Sequence, residues 1–242
     1  MSRTLVLGDL HGGLKALIQL LEKIDLSPSD ELIFLGDYVD GWSDSANTVS
    51  YLIELAKQNS CIFIRGNHDD LAHKWLITGE MNEKWLEHGG QSSLNAYRNF
   101  TEEDKEKHKK FFSEMVNYYK DQEDRLFVHA GFTNLHGPEY EYYETGFYWD
   151  RTLWEMALAF DEEIEPDDFR YPKRLKHFRE IYIGHTPVTR IGETTPINKA
   201  NIWNVDTGAA FKGPISAMDV NSKEIYQSDP VHSFYPNEQG RN

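Results

Sequence analysis

Thr4-Leu5-Val6-Leu7-Gly8-Asp9 is the stretch that decides the fold, because an apolar run ends there in a glycine and a carboxylate. The same pattern returns at 32–37 and again at 61–67, where the last polar residue is Asn67. Between these runs, apolar residues recur at helical spacing over 14–24 and 49–56. The order strand, helix, strand, helix, strand predicts an α/β fold with mostly parallel strands.

Polar residues follow the end of each of these three strands. In open α/β sheets, ligands bind beyond the carboxyl ends of the parallel strands. The glycine beside each polar residue allows a sharp turn and a close approach of the backbone to a ligand. We therefore expect Asp9, Asp37 and Asn67 to line one site.

The remainder of the chain adds a helical segment and further strands. Apolar and aromatic residues at helical spacing predict a helical cap from about residue 70 to residue 120, inserted into one domain that covers 1–242. Further strands are expected at 126–128, 181–183, 201–205 and 215–220. The segment after Ser228 is expected to be loosely ordered.

Composition limits the class of protein. The chain has 242 residues, of which 39% are hydrophobic and 27% charged, as is usual for a globular protein in water. Its single cysteine, Cys61, excludes an internal disulfide, and the first residues show no signal-peptide pattern, so we expect a cytoplasmic protein. No apolar run is long enough to span a membrane.

The formal net charge of −15 bears on the ligands of the protein. A field of this sign repels DNA, RNA and anionic lipid, so we expect neither a nucleic-acid nor a membrane partner. It also repels phosphorylated substrates, which therefore require local positive charge, and bound metal ions could supply it. The sequence leaves the oligomeric state open.

Five glycine-containing motifs carry the candidate chemistry. Together they offer carboxylate, imidazole and amide oxygen, a donor set that suits manganese, iron or zinc and includes no thiolate. Two such ions about 3.5–4 Å apart can bind both the attacking and the leaving oxygen of a phosphoryl transfer. The motifs are Gly8-Asp9-Leu10-His11-Gly12, Gly36-Asp37-Tyr38-Val39-Asp40-Gly41, Gly66-Asn67-His68-Asp69, His129-Ala130-Gly131 and Gly184-His185-Thr186.

In these motifs the sequence resembles the calcineurin-like metallophosphoesterases, in particular their phosphoprotein phosphatase branch. It is similar there to the small bacterial and lambda-phage protein phosphatases and to the symmetrical diadenosine tetraphosphate hydrolases. The resemblance extends from about Leu5 to about Gly213 and includes Trp85 and Ser93 in the helical segment. It implies two packed mixed β-sheets flanked by helices, with a helical cap insertion. It also implies two divalent metal ions, with manganese expected and iron, zinc or cobalt as alternatives.

The resemblance implies a role for each motif residue. His68 would be the general acid and Asp40 would orient it, while a hydroxide bridging the metals would attack phosphorus in line. An imidazole placed by a carboxylate is suited to protonate a leaving alkoxide. The implied metal ligands are Asp9 and His11 for one ion, Asn67, His129 and His185 for the other, and Asp37 as the bridge between them.

Two positions depart from the family pattern. The family usually has a phosphate-gripping arginine directly after Asp40, where this chain has Gly41. The candidates for binding the phosphate of the substrate instead are Arg151, Arg65 and the metal-ligand candidate Asn67. Arg151 is preferred, because it matches a second phosphate-binding arginine of the family. The milder departure is Asp69, where glutamate is usual.

The sequence leaves the roles of two further residues open. Trp42 follows Gly41 in a loop, where it could stack on a nucleobase or a phosphotyrosine ring. Asp206 either closes the site or simply leads from a strand into a turn.

The function implied first is a serine/threonine-type protein phosphatase. The alternatives are a hydrolase of dinucleoside polyphosphates and a metal-dependent protein that binds a phosphorylated partner without turnover. The pair formed by Asp40 and His68 argues against the last, since a binding protein needs no general acid. The absence of arginine at position 41 leaves the first two open.

Overall fold

The computed structural model describes residues 2–241. Its strands, in chain order, are β1 (Thr4–Leu7), β2 (Glu31–Phe34), β3 (Ser60–Phe63), β4 (Tyr118–Lys120), β5 (Arg125–Val128), β6 (Glu180–Ile183), β7 (Ile197–Lys199), β8 (Ile202–Asn204), β9 (Ser216–Asp219) and β10 (Ile225–Gln227). The α-helices are α1 (Leu14–Ile24), α2 (Ser45–Leu55), α3 (Asn67–Thr78), α4 (Glu83–Trp85), α5 (Gln91–Ala96), α6 (Glu102–Ser113), α7 (Gly146–Trp149) and α8 (Thr152–Leu158). A π-helical turn, Leu86–Gly90, joins α4 to α5, and short 3₁₀ turns include Tyr97–Asn99, Pro138–Tyr140, Lys173–Lys176, Val188–Ile191 and Val231–Phe234.

The strands form two mixed sheets of five strands each, in the orders β10-β9-β1-β2-β3 and β4-β5-β6-β8-β7. In the first sheet β1, β2 and β3 are parallel, and β9 pairs antiparallel with β1. In the second sheet β5, β6 and β8 are parallel, and β4 and β7 pair antiparallel at its two edges. The expected α/β fold of two mixed sheets flanked by helices is confirmed.

Alternation along the strands explains why the sheets stack. Successive side chains of a strand point to opposite faces. Val6 of β1 therefore packs between the sheets with Phe127 and Tyr182 of the second sheet, whereas Leu5 and Leu7 pack on the other face, against helices. Each sheet is thus buried on both faces, which explains the continuous apolar runs that the sequence shows.

Helix α1 shows how the outer layer forms. Its residues Leu17, Leu20, Leu21 and Ile24 are buried along one face, which is the spacing of three and four residues expected of an amphipathic helix. Burying each of these side chains contributes roughly 1.5–3 kcal/mol. The helix ends at Asp25, which adopts a left-handed conformation.

The helical segment between β3 and β4 shares its core with the first sheet. Trp85, Phe111 and Phe112 belong to the same apolar cluster as Leu5 of β1. The expectation of helices up to residue 120 was wrong at its end, because Tyr118–Lys120 forms strand β4. This edge strand has half-buried and exposed side chains and therefore no apolar pattern.

The segment after Ser228 is also better ordered than expected. Val231 and Tyr235 are buried, and the ring of Tyr235 stacks on Trp42 with their centroids 5.4 Å apart. The sequence offers no periodic pattern here, because single residues, rather than one face of a helix, make the contacts.

Candidate active site

The carboxyl ends of the parallel strands of both sheets meet at one site. Asp9, Asp37 and Asn67 follow β1, β2 and β3, while His129 and His185 follow β5 and β6. Each residue lies within a few positions of its strand end, and all five are buried. His11 lies beside Asp9 in the loop after β1, so the first sheet contributes four of the six candidate ligands and the second sheet contributes two.

Two groups of donors share the carboxylate of Asp37. In the first, Nε2 of His11 lies 3.6 Å from an oxygen of Asp9 and 3.6 Å from Oδ2 of Asp37. In the second, Nε2 of His129 lies 3.5 Å from the same Asp37 oxygen. Donors about 2.1 Å from one ion lie roughly 3–3.5 Å from each other, so both groups are close to the separation that a common ion requires.

The amide oxygen of Asn67 completes the second group. It lies 3.2 Å from Nε2 of His129 and 2.9 Å from Nδ1 of His185. The other ring nitrogen of His185, Nε2, is buried without a hydrogen-bond partner among the described residues. These donors fit a second metal ion.

Backbone carbonyls fix which nitrogen the histidines present. Nδ1 of His129 is 2.8 Å from the carbonyl oxygen of Leu35, and Nδ1 of His11 is 2.8 Å from that of Asp40. A carbonyl can only accept, so each Nδ1 is the protonated nitrogen and each Nε2 lone pair points to the site. Such outer contacts are usual for metal-binding imidazoles.

Strained backbone is concentrated in this region. His11, Asp37, Asp40 and His185 all have positive φ, between 49° and 70°. Non-glycine residues rarely adopt this conformation, which costs about 1–3 kcal/mol and is held only by strong surrounding contacts. A methyl group at Gly66 would overlap the carboxylate of Asp37, so this glycine permits the close approach of the two loops.

Burial and neighbouring charges shift the pKa values of the candidate metal ligands. Burial opposes the charged forms, yet the positive imidazoles of His129 and His68 hold the pKa of Asp37 well below its usual value. Burial and the charge of His129 hold the pKa of His185 well below its usual value. For His129, Asp37 overcomes burial and raises the pKa to about 9. An ionised carboxylate and a neutral imidazole are the forms that bind metal, so a cation would have to displace the Nε2 proton of His129 on binding.

The candidate general acid lies beside these donors. Nδ1 of His68 is 2.7 Å from Oδ2 of Asp40, whose side chain is fully buried. Burial lowers the pKa of His68, against the effect of Asp37 and Asp40. The hydrogen bond fixes the ring, so that Nε2 is the nitrogen left to meet a substrate.

Two residues that the sequence did not single out as site residues hold Asp40. Nε1 of Trp85 donates to Oδ2, and the hydroxyl of Ser93 donates to Oδ1. Trp85 is also a core residue, with 2% of its surface exposed. The helical segment that resembles the family contains both residues, and this was the available signal.

Asp69 braces the loops rather than facing the cavity. Its carboxylate accepts hydrogen bonds from the backbone nitrogens of Asp37, Tyr38 and Gly66 at 2.7–2.9 Å. Burial and the charge of Asp37 raise its pKa to about 7. A shorter side chain than glutamate is thus sufficient to join the second and third motifs.

A cavity of about 520 Å³ opens over the candidate donors. It is lined by three arginines, Arg151, Arg190 and Arg241, together with His68. Nη1 of Arg151 donates to the hydroxyl of Thr186 at 3.0 Å, and burial together with the charges of Arg190 and Arg241 lowers its pKa. Three clustered guanidinium groups favour an anionic ligand.

The other proposed arginine lies elsewhere. The guanidinium of Arg65 donates to the carbonyl oxygen of Phe112 at 2.8 Å, and Arg65 is not among the described residues that line the cavity. The structure therefore brings Arg151, but not Arg65, to the cavity. Arg190 and Arg241 were not singled out from the sequence, since neither belongs to a strand-end motif.

The structure also shows whether Trp42 and Asp206 face the cavity. Trp42 is fully buried and its Nε1 donates to the carbonyl oxygen of Ala209 at 2.7 Å, so it offers no surface to a base. Trp149 lines the cavity instead, is 46% exposed and lies 6.3 Å from the ring of His185. Asp206 also lines the cavity, and burial with the charge of Asp9 raises its pKa to about 7.

The two-sheet fold with paired carboxylate and histidine clusters defines a metal-dependent phosphoesterase. The family model for calcineurin-like phosphoesterases matches residues 2–199, and the chain belongs to this family of hydrolases. The family expected from the motifs is therefore confirmed.

Similar proteins have related activities. The chain is 25% identical to an asymmetrical bis(5'-nucleosyl)-tetraphosphatase, PrpE, from Oceanobacillus iheyensis, over 91% of this chain and 89% of that protein. It is 23% identical to serine/threonine-protein phosphatase 1 from Salmonella typhimurium, over 87% of this chain and 88% of that protein. The crystal structure of a putative diadenosine tetraphosphatase has a similar fold, with a TM-score of 0.63, 19% identity and coverage of 93% and 92% of the two chains.

Among residues 2–241, no helix combines the length and the apolar character needed to cross a bilayer.

Proposed function

We propose that this metallophosphoesterase hydrolyses dinucleoside polyphosphates such as diadenosine tetraphosphate. The observation that carries the proposal is the cluster of Arg151, Arg190 and Arg241 on one cavity beside the metal donors. A polyphosphate chain carries several negative charges, whereas one or two guanidinium groups are enough for a single phosphoryl group. The proposal places the nucleotide alternative ahead of the protein phosphatase that the resemblance implied first.

The proposed metal centre consists of the six residues expected from the sequence: Asp9, His11, Asp37, Asn67, His129 and His185. When bound, two divalent ions would supply Lewis acidity and lower the pKa of water. Manganese is the ion we propose, because carboxylate, imidazole and amide oxygen suit it. Iron, zinc and cobalt remain alternatives with the same donors.

The chain's own residues would perform the rest of the reaction. Arg151 would bind phosphate oxygens and orient the phosphorus atom. His68 would give its Nε2 proton to the leaving oxygen, and Asp40 would hold the imidazolium in place. The side chains of Trp149 and Phe211 line the cavity and offer apolar surface on which a base could stack.

A serine/threonine-protein phosphatase is the second candidate. Its support is the position of Arg151, which lies beside Thr186 and the metal donors, where one guanidinium group can bind one phosphoryl group. A cytoplasmic location is proposed for either activity, since one cysteine, Cys61, requires no oxidising compartment.

The test is a comparison of kcat/KM with manganese for diadenosine tetraphosphate and for a phosphothreonine peptide. A preference for the dinucleotide of tenfold or more is expected. Chromatography of the products distinguishes ATP and AMP from two ADP. Preference for the peptide would establish the second candidate, and turnover of neither substrate, nor of p-nitrophenyl phosphate, would favour a binding protein. Asp37→Asn serves as the control for contaminating phosphatases.

A further inference from the structure

The segment 231–241 follows the last strand and is fixed against the loop after Asp40. Val231 is fully buried, and its nitrogen donates to the carbonyl oxygen of Gly213 at 2.9 Å. The ring of Tyr235 stacks on Trp42, and its hydroxyl donates to a carboxylate oxygen of Asp44 at 2.8 Å. The first half of the segment is therefore held at two points.

The second half is held by Glu238 and by Arg241 itself. The carboxylate of Glu238 accepts hydrogen bonds from the hydroxyl and the backbone nitrogen of Ser43, at 2.7 and 2.9 Å. The backbone nitrogen of Arg241 donates to the carbonyl oxygen of Ala210 at 2.9 Å. These contacts determine where the arginine side chain begins.

The side chain of Arg241 then passes between two glycines. Its Cγ would lie 3.4 Å from a Cβ atom at Gly41 and 3.0 Å from a Cβ atom at Gly89. The φ angles of these glycines are +127° and +107°, a conformation that other residues rarely adopt. The space left by the two missing side chains is thus the passage through which Arg241 reaches the cavity.

The guanidinium group of Arg241 forms no salt bridge with any residue in the part of the chain that the structure describes. Its Nε is buried without a hydrogen-bond partner among the described residues, and its central carbon lies 5.7 Å from the ring centroid of Phe211. Arg241 is not one of the arginines that form salt bridges within residues 2–241. Those arginines are Arg3, Arg125, Arg170, Arg174 and Arg179. A buried donor without a partner is costly unless a ligand supplies the acceptor.

We propose that Arg241 binds a phosphate group of the substrate, in place of the arginine that the family usually has at the position of Gly41. This rests on the proposed phosphoesterase function and extends it, since the segment 231–241 becomes part of the binding site. Arg241 enters the cavity beside Gly41 and His11, whereas Arg151 lies beside Thr186, the residue after His185.

Binding of inorganic phosphate tests the proposal without relying on turnover. Titration calorimetry on the manganese-loaded protein is expected to show about 10- to 100-fold weaker binding for Arg241→Ala, the loss of one charged hydrogen-bonding group. Arg241→Lys should lose less, because it keeps the charge but not the planar fork. The matched control is Arg179→Ala, whose side chain is 54% exposed and pairs with Glu123 outside the cavity; its affinity should not change.

A second variant tests whether the position of the Arg241 side chain matters in addition to its charge. Glu238→Ala removes the contact with Ser43 and keeps Arg241, so a partial loss of phosphate affinity is expected. Wild-type affinity in Arg241→Ala would overturn the inference, as would loss of bound manganese in that variant, which would indicate a structural role. If phosphate affinity falls as expected while diadenosine tetraphosphate is not hydrolysed, the inference stands and the proposed substrate is wrong.

Discussion

Trp85→Phe is the substitution that tests most directly how the candidate general acid is held. The indole Nε1 donates to Oδ2 of Asp40, the same oxygen that pairs with His68 at 2.7 Å. Phenylalanine keeps a six-membered apolar ring and removes this donor together with the rest of the five-membered ring. The side chain of Asp40 is fully buried, so no bulk water is at hand to replace the lost hydrogen bond.

The size of the expected decrease in kcat depends on the hydrogen bonds that Asp40 keeps in the variant. A hydrogen bond to a charged group contributes about 1.5–3 kcal/mol, but Ser93 still donates to Oδ1 and His68 still pairs with Oδ2. We therefore take the lower end of the range, about 1.5 kcal/mol, which corresponds to a roughly tenfold decrease in kcat. The decrease should appear where the leaving group needs a proton, and be less than about threefold for p-nitrophenyl phosphate, whose leaving group needs little help.

The assay measures kcat for an alkyl phosphate and for p-nitrophenyl phosphate at one pH, with metal content checked in parallel. Trp154→Phe is the matched control, because Trp154 is also 2% exposed but lies in the apolar cluster of the second sheet. It should lose stability without changing the ratio of the two rates. Equal decreases for both substrates in Trp85→Phe would refute the proposed link from Trp85 through Asp40 to His68.

Three further predictions concern the metal site and stability. Asp37→Asn should lose metal and activity together, because Asp37 faces both donor groups; mass spectrometry of bound metal checks this, and retention of two ions would disprove the bridging role. Gly66→Ala should destabilise the protein by about 1–3 kcal/mol, since its methyl group would overlap Asp37; an unchanged melting temperature would contradict the close approach. Arg3 holds the pKa of Asp30 at about 2, below its usual value of 3.8, so their ion pair should contribute about 2 kcal/mol above pH 4. This contribution should disappear as pH falls towards 2, so denaturant unfolding should show that Asp30→Asn is destabilised at pH 6 but not at pH 2; equal differences at both values would rule out the ion pair as the cause.

The strand-end motifs could be predicted from sequence because each is a local pattern. An apolar run followed by glycine and a polar residue marks the end of a buried strand, and parallel strands present these ends on one side of a sheet. Asp9, Asp37 and Asn67 were grouped on this basis alone, and the structure places their side chains together. The roles of His129 and His185 required the resemblance, since they follow strands of a second sheet whose position the local pattern does not determine.

The sequence alone thus determined the chemistry of the strand ends and the family of the protein, since both are recognised from short motifs whose residues are close together in the chain. Only the tertiary structure decided which distant groups complete the cavity. Trp42 is buried by Tyr235, 193 positions later in a sequence of 242 residues. Arg241 lies against Gly41, 200 positions away. Contacts between such distant residues depend on how two sheets and an irregular segment pack, and packing of this kind leaves no periodic signal in the sequence.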